Sequence, residues 1–397
     1  MFQLFAEAPL LSRHIRVHEF QTLVNERTQG FVGREFVFKA IDDLLKDSKF
    51  PSGYIIISGE PGIGKTALLA QLVKQRGYVH HFNTVLQDIR STDAFLTNIC
   101  AQLIIRYGLE HSTLPQDATN NSTFLSELLE EVVKKRGNQP IVILVDALDE
   151  VEDFRLHQDV NRLCLPPDLP DGVFFVVTKR EEFDDRLSVG RRKDIYLRDD
   201  DPRNLKDVRK FVENFIKEYR TDMIPRIKEW GITEDEFLTT ITERSEGNFM
   251  YLVYVLGDIR DGRLTVVEID NIRELPQGLK DYYQRHWRGM RAVDQDRFDK
   301  YYEPVLCYLA TAKEPVTITL LAEWTKLVPI RIHEVIEKWR QYLNQSKLEQ
   351  GEPLYRIYHA SFQDFLKEEV GLVKYEDGIA VTALRKIPGF LDGGDDR

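Results

Sequence analysis

Gly59-Glu60-Pro61-Gly62-Ile63-Gly64-Lys65-Thr66 has the spacing GxxxxGK[ST], directly after a β-rich run and before a helical one. Small residues in such a loop let backbone N–H groups curl around phosphate oxygens, and the helix that follows adds the positive end of its dipole. Lys65 would then contact the β- and γ-phosphates and Thr66 would hold Mg²⁺. Further along, Ile141-Val-Ile-Leu-Val-Asp146 is an apolar run ending in an acid, the place where a phosphate-loop protein needs a carboxylate to order the Mg²⁺ shell. Ala147-Leu148-Asp149-Glu150 follows at once. Either Asp149 or Glu150 can orient or deprotonate an attacking water, and Asp149 is the preferred assignment. A third apolar run ends in Lys179-Arg180, and an arginine there can sense the γ-phosphate and neutralise charge as it leaves. Taken singly, each stretch has a bland reading: a Gly-rich turn, a capping acid, two surface cations paired with Glu181 and Glu182. Their joint occurrence favours phosphoryl chemistry.

These residues need a scaffold. Residues 54 to 200 alternate short β-rich runs with helical ones, the pattern of a parallel sheet covered on both faces. The expected strands are Tyr54–Ser58, Tyr78–Asn83, Ile141–Val145, Val173–Thr178 and Asp194–Leu197. Helices are expected at Thr92–Tyr107 and Thr123–Lys135, the latter capped by Ser122. After Pro202 the pattern turns helical, with an apolar stripe through Leu205, Val208, Phe211 or Val212, Phe215 and Tyr219. A third region reads as helices Tyr302–Ala310, Leu320–Thr325 and Ile330–Leu343, a strand Leu354–His359, and a helix Phe362–Val370 started by Ser361 and Asp364. That order suggests a winged helix. The expected division is an N-terminal arm (1–28), a nucleotide-binding α/β domain (29–201), a helical domain (202–275), a winged helix (276–372) and a poorly ordered tail (373–397).

Composition narrows the function. The 397-residue chain carries 54 Lys and Arg against 65 Asp and Glu, a net charge of −11, so there is no net positive field for nucleic acid or anionic lipid. Its three cysteines lie far apart with no CxxC pair, which implies a reduced, cytoplasmic protein and no zinc site. No apolar run approaches the ~20 residues of a membrane-spanning helix. Residues 1–16 lack the basic start of a secretory signal.

The segments together resemble the STAND class of P-loop NTPases, most closely its NACHT branch as found in bacterial proteins, over roughly residues 30 to 372. Phe31-Val32-Gly33-Arg34-Glu35 is similar to the family's pre-sheet segment, which implies that Val32 and Arg34 border the adenine. The resemblance makes Gly59, Pro61, Gly62, Ile63, Gly64, Lys65, Thr66 and Ala67 the phosphate cradle. Asp146 becomes the metal-side acid with Thr66, and Lys65, Asp149, Glu150 and Arg180 the catalytic set. Gly247-Asn248-Phe249 occupies the place of the family's helical-domain nucleotide contact, although Phe249 stands where the family often has proline. Tyr358-His359-Ala360-Ser361-Phe362 resembles the winged-helix motif whose histidine reaches the β-phosphate of ADP.

What the resemblance implies is an ATP/ADP switch with Mg²⁺, closed with ADP, opening and self-associating with ATP, hydrolysing slowly, and serving in some bacteria in defence against phage. Family members commonly carry effector and sensor domains, for which the residues before Phe31 and after the last helix are too few. They are expected to be separate or missing. The alternative is an AAA+ type ATPase with a DNA-binding winged helix. There a glutamate usually follows the metal acid, whereas here Ala147 does, and Arg331, Lys338 and Arg340 are interleaved with Glu334 and Glu337. Neither nucleic acid nor membrane is expected as a partner. A nucleotide-dependent scaffold that hardly turns over is the third reading.

Overall fold

The computed structural model describes residues 11, 14–15, 17–83, 89–137, 139–151, 161–264, 271–346 and 351–384. It divides into two units, Met1–Arg273 and Glu274–Arg397.

The first unit opens with α1 (Val17–Arg27) and α2 (Glu35–Lys46), followed by β1 (Gly53–Gly59), α3 (Lys65–Arg76) and β2 (Val79–Phe82). Then come α4 (Thr92–Tyr107), α5 (Thr123–Lys135), β3 (Ile141–Asp146), β4 (Val173–Lys179) and β5 (Arg192–Leu197). The five strands pair in parallel in the order β2-β3-β4-β1-β5. Every residue of β1, β3 and β4 is buried, because helices cover both faces. Side chains alternate between two cores, Ile56, Ile143, Val145 and Phe175 against α4 and α5 on one face, and Ile55, Ile57, Leu144 and Val176 against α3 on the other. Since β4 lies between β1 and β3, the register sets Ser58 beside Lys179 and Val145 beside Val177. The carboxyl ends of all three strands, and so the phosphate loop, Asp146 and Arg180, meet at one edge.

Helices α4 and α5 occupy the expected spans. Ser91 caps α4 by accepting from the Ala94 N–H at 3.2 Å. Ser122 makes no side-chain capping bond to α5, contrary to expectation; Asn121 Oδ1 instead accepts from the Thr123 N–H at 2.8 Å. The helical segment comprises α6 (Pro202–Glu218), α7 (Arg220–Glu229), α8 (Glu234–Arg244) and α9 (Phe249–Arg260). Asp201 caps α6 and Asn248 caps α9. The buried stripe of α6 runs through Asn204, Asp207, Val208, Val212 and Ile216, leaving Leu205, Phe211, Phe215 and Tyr219 only half-buried. The face turns because Asn204 and Asp207 have backbone partners to meet: Asn204 Nδ2 donates to the carbonyls of Asp199 and Gly247, and Asp207 accepts from Arg34.

The second unit contains α10 (Gly278–Val293), α11 (Glu303–Thr311), β6 (Val316–Thr317), α12 (Ile318–Thr325) and α13 (Pro329–Lys338). It continues with β7 (Leu343–Ser346), β8 (Leu354–Ile357), α14 (Ala360–Glu369) and α15 (Val373–Leu384). The small sheet is antiparallel in the order β6-β8-β7. The helix expected over Ile330–Leu343 stops at Lys338, and Leu343 opens a strand paired with Ile357. Buried Trp339 and Tyr342 drive the break by stacking on Phe362. The cap of α14 is His359 rather than Ser361 with Asp364. The expected loose tail is helical through Leu384, held where buried Tyr375 donates to Glu303 at 3.0 Å; residues 385–397 lie outside those described.

Ile143 is fully buried in β3. Ile143→Ala should cost about 2–5 kcal/mol of stability, read as a lowered urea midpoint, whereas truncating Ile330, 70% exposed, should change it by no more than about 0.5 kcal/mol.

Candidate nucleotide site

The loop between β1 and α3 is shaped by its glycines. Gly62 and Gly64 have φ values of 89° and 97°, a region that residues with a Cβ rarely enter. A Cβ on Gly62 would also stand 2.5 Å from Asn248 Oδ1. Ile63 between them is buried in the core and pins the loop to the sheet. Lys65 Nζ donates to the Gly59 carbonyl at 2.6 Å and the Glu60 carbonyl at 3.0 Å. Burial pulls the Lys65 pKa below its ordinary value, while Asp149 and Asp146 oppose that shift, so the cation sits in an acidic field. Thr66 and Ala67 form the first turn of α3 and are half-buried.

Asp146 is 3% exposed at the end of β3. Thr178 Oγ1 donates to its Oδ1 at 2.6 Å, and the nearby Thr66 hydroxyl helps to stabilise the carboxylate. Asn83 Nδ2 donates to the Asp146 carbonyl at 2.7 Å. Burial raises the Asp146 pKa, with the two hydroxyls pulling the other way. A hydroxyl and a buried carboxylate side by side are hard oxygen donors suited to Mg²⁺. Among the described residues no cluster of three or more His, Cys, Asp or Glu side chains is built to hold a metal.

Asp149 and Glu150 share the short turn after β3. Asp149 is fully engaged: Arg180 Nε lies 2.9 Å from its Oδ2, and the Arg180 N–H donates to its Oδ1 at 3.2 Å. Glu150 is half-buried beside it. The two cations of β4 diverge, since Lys179 turns away to donate to the Phe183 carbonyl at 2.6 Å with Asp185 at 3.7 Å. The structure thus gathers Lys65, Thr66, Asp146, Asp149 and Arg180, and sends Lys179 elsewhere.

On the other side of the loop, Arg34 sits at the start of α2 with φ 68° and 2% exposure. Its N–H donates to Asp207 Oδ2 at 2.9 Å, its Nη2 donates to the Ile63 carbonyl, and its guanidinium lies 5.1 Å from the Phe249 ring centroid. Burial lowers its pKa to about 10, with Asp207 and then Asp201 opposing, so it stays charged at neutral pH. Val32, buried, precedes it. Asn248 Nδ2 donates to the Pro61 carbonyl at 2.9 Å. His359 lies in the second unit, where its Nδ1 accepts from the Ser361 N–H at 3.3 Å and bonds the Ser361 hydroxyl at 2.6 Å.

Sequence reading singled out neither Thr178, Asn83, Asp207 nor Asn248 as a contact of its own. Only Asn248 had a signal, a Gly-Asn pair opening an apolar helix. Because Asp146 holds its charge in a buried place, its folded pKa lies above the unfolded value, and its ionisation destabilises the fold as pH rises through that window. Asp146→Asn should therefore raise the melting temperature at pH 7 without added metal, and the gain should shrink as the pH is lowered toward the ordinary carboxylate range.

Residues 30–175 match the AAA ATPase domain family. A human protein, NACHT domain- and WD repeat-containing protein 1, is 32% identical over 186 residues, covering 43% of this chain and 11% of the relative. The chain thus spans about a tenth of that relative's length. Among solved structures, a Pyrococcus horikoshii STAND protein with a tetratricopeptide repeat sensor aligns at TM-score 0.44 and 17% identity, over 90% of this chain and 46% of that one. Drosophila ORC bound to DNA aligns at TM-score 0.37 and 16% identity, over 89% and 98% of the two chains. No described helix is long and apolar enough to cross a membrane. The phosphate-loop sequence, the parallel sheet that carries it, the AAA ATPase domain match and the stretch shared with a NACHT-containing relative together support a STAND/NACHT-like P-loop NTPase.

Proposed function

We propose that the chain is an ATP/ADP-dependent switch with slow hydrolysis. The observation that carries the slow turnover is the Arg180–Asp149 pair. The carboxylate suited to polarise water and the cation suited to the γ-phosphate neutralise each other, and Ala147 stands where a motor-type site has a second acid. Catalysis requires this pair to part, which adds a step before chemistry.

In this reading Lys65 and the loop amides bind the β- and γ-phosphates, Thr66 and Asp146 hold Mg²⁺, and Val32, Arg34 and Phe249 border the base. Bound Mg²⁺ would supply charge neutralisation at the transferring phosphate. Arg180, released from Asp149, neutralises charge developing on the γ-phosphate, while Asp149 orients water with Glu150 as the neighbouring acid. The order α11-β6-α12-α13-β7-β8 in the second unit supports a winged helix, and on that reading His359 contributes the β-phosphate contact that favours the ADP-bound form. Since a nucleotide moves an equilibrium only by its differential affinity, that contact would stabilise the closed state. Self-association with ATP, effector and sensor modules on other chains or segments, a cytoplasmic setting and a role in anti-phage defence extend the same reading.

Mass analysis of nucleotide released from protein purified without added ligand, together with solution mass, tests the switch: ADP retained on a monomer is the expected result, and an empty, freely exchanging site with steady turnover overturns it. Lys65→Ala should abolish retention. Asp149→Asn should lower steady-state ATP turnover about 100-fold or more while leaving the ADP dissociation constant within about twofold. Loss of binding instead would remove Asp149 from the water-activating role.

A further inference from the structure

The phosphate loop has a back side, and it is held. Three consecutive carbonyls accept hydrogen bonds from outside the loop: Pro61 from Asn248 Nδ2 at 2.9 Å, Gly62 from the Met250 N–H at 3.3 Å, and Ile63 from Arg34 Nη2. The amide orientation of Asn248 follows from its own partners. Its Oδ1 accepts from the N–H groups of Met250 at 3.0 Å and Tyr251 at 3.2 Å, which leaves Nδ2 to face Pro61.

We infer that Asn248, with Met250 and Arg34, forms a carbonyl clamp that presets the phosphate loop and couples its affinity for phosphate to the seating of the helical segment. The inference rests on the nucleotide-binding reading above. A trans peptide is planar, so the carbonyl of one residue and the N–H of the next point in opposite directions. Fixing the carbonyls of Pro61, Gly62 and Ile63 outward turns the N–H groups of Gly62, Ile63 and Gly64 toward the loop interior. The Ile63 N–H is shared with the Glu60 carbonyl at 3.3 Å. Converging amides of this kind are what an anionic phosphate recognises.

The clamp donors do not belong to the loop. Asn248 and Met250 open α9, and Arg34 is itself fixed through its backbone N–H by Asp207 of α6. Both α6 and α9 are parts of the helical segment. Gly62 allows the close seating, because a Cβ there would lie 2.5 Å from Asn248 Oδ1 and 3.0 Å from Met250 Cβ. If the helical segment shifts, the three peptide planes lose their outer anchors and the loop must reorder its amides before it can bind phosphate. By linkage, phosphate binding favours the seated segment to the same degree. Asn248 is thus a positioning residue, acting through the peptide planes rather than by touching the nucleotide.

Asn248→Ser separates this role from helix capping. A serine oxygen still caps α9, but it is too short to reach Pro61 and lacks the amide. The dissociation constants of ADP and adenosine should be measured on the full chain, with hydrogen exchange at the loop amides. The expected result is ADP weakened about fivefold to tenfold, adenosine changed by less than about twofold, and faster exchange over residues 62–64. Unchanged ADP affinity, or equal losses for ADP and adenosine, would overturn the clamp while leaving the nucleotide-binding reading intact. Failure of the unmutated protein to bind either ligand would instead overturn that reading, and the clamp with it. Should Asn248→Ser fail to fold, Asn248→Asp keeps a strong cap and likewise cannot donate to Pro61, and the same ADP-to-adenosine comparison decides.

Discussion

A charged guanidinium buried to 2% exposure is the constraint on which the first unit turns. Taking Arg34 out of water is costly unless nearby groups replace its hydration. The groups that do so come from three separated stretches: the Ile63 carbonyl of the phosphate loop, the Asp207 carboxylate facing its backbone, and the face of Phe249. Its Nη1 is buried with no acceptor among the described residues, leaving one donor of the fork unmatched beside the proposed base site. None of the three stretches can move far without exposing that imbalance. The pre-sheet segment, the loop and the helical segment are therefore linked by electrostatics as much as by apolar packing.

The edge at the carboxyl ends of the strands follows a different logic. Insertion of β4 between β1 and β3 brings a threonine and an arginine to the space between the loop and Asp146, the proposed metal-side acid. Thr178 steadies the buried carboxylate of Asp146, and it also accepts from the Ala147 N–H at 2.8 Å, fixing the turn that carries Asp149. Arg180 then closes on Asp149. Buried ionisable groups here are each paired or hydrogen-bonded, as their desolvation requires. The result is a site whose reactive charges are stored against one another rather than left exposed.

The strands and the two long helices of the α/β layer were legible because their signals are local. Continuous apolar runs such as Ile141–Val145 require burial on both faces, and α4 and α5 carry periodicity over several turns. The reading failed where a competing neighbour or a distant partner changes the outcome. Ser122 has the right type for a cap, yet Asn121 takes the task. The helix after Pro329 ends early because Trp339 and Tyr342 are drawn into an aromatic cluster with Phe362. His359 caps α14, a role open to an imidazole nitrogen but outside the usual set of capping residues. α10 and β6 carried signals too short or too mixed to register.

Sequence alone determined the phosphate loop, the acid at the end of β3 and the arginine after β4, since each rests on residue types at fixed spacing beside a strand. It determined the parallel α/β layer for the same reason. Only the tertiary structure decided which groups meet: Asp207 reaches Arg34 across 173 positions, and Asn248 reaches Pro61 across 187. Such pairs leave no periodic trace, because a hydrogen bond between distant segments depends on where the chain returns rather than on which residues flank it. The pairing of Asp149 with Arg180, and the divergence of Lys179 toward Asp185, were likewise set by backbone direction at the sheet edge. The residues supplied the chemistry, and the fold decided which of them are held together and which are kept apart.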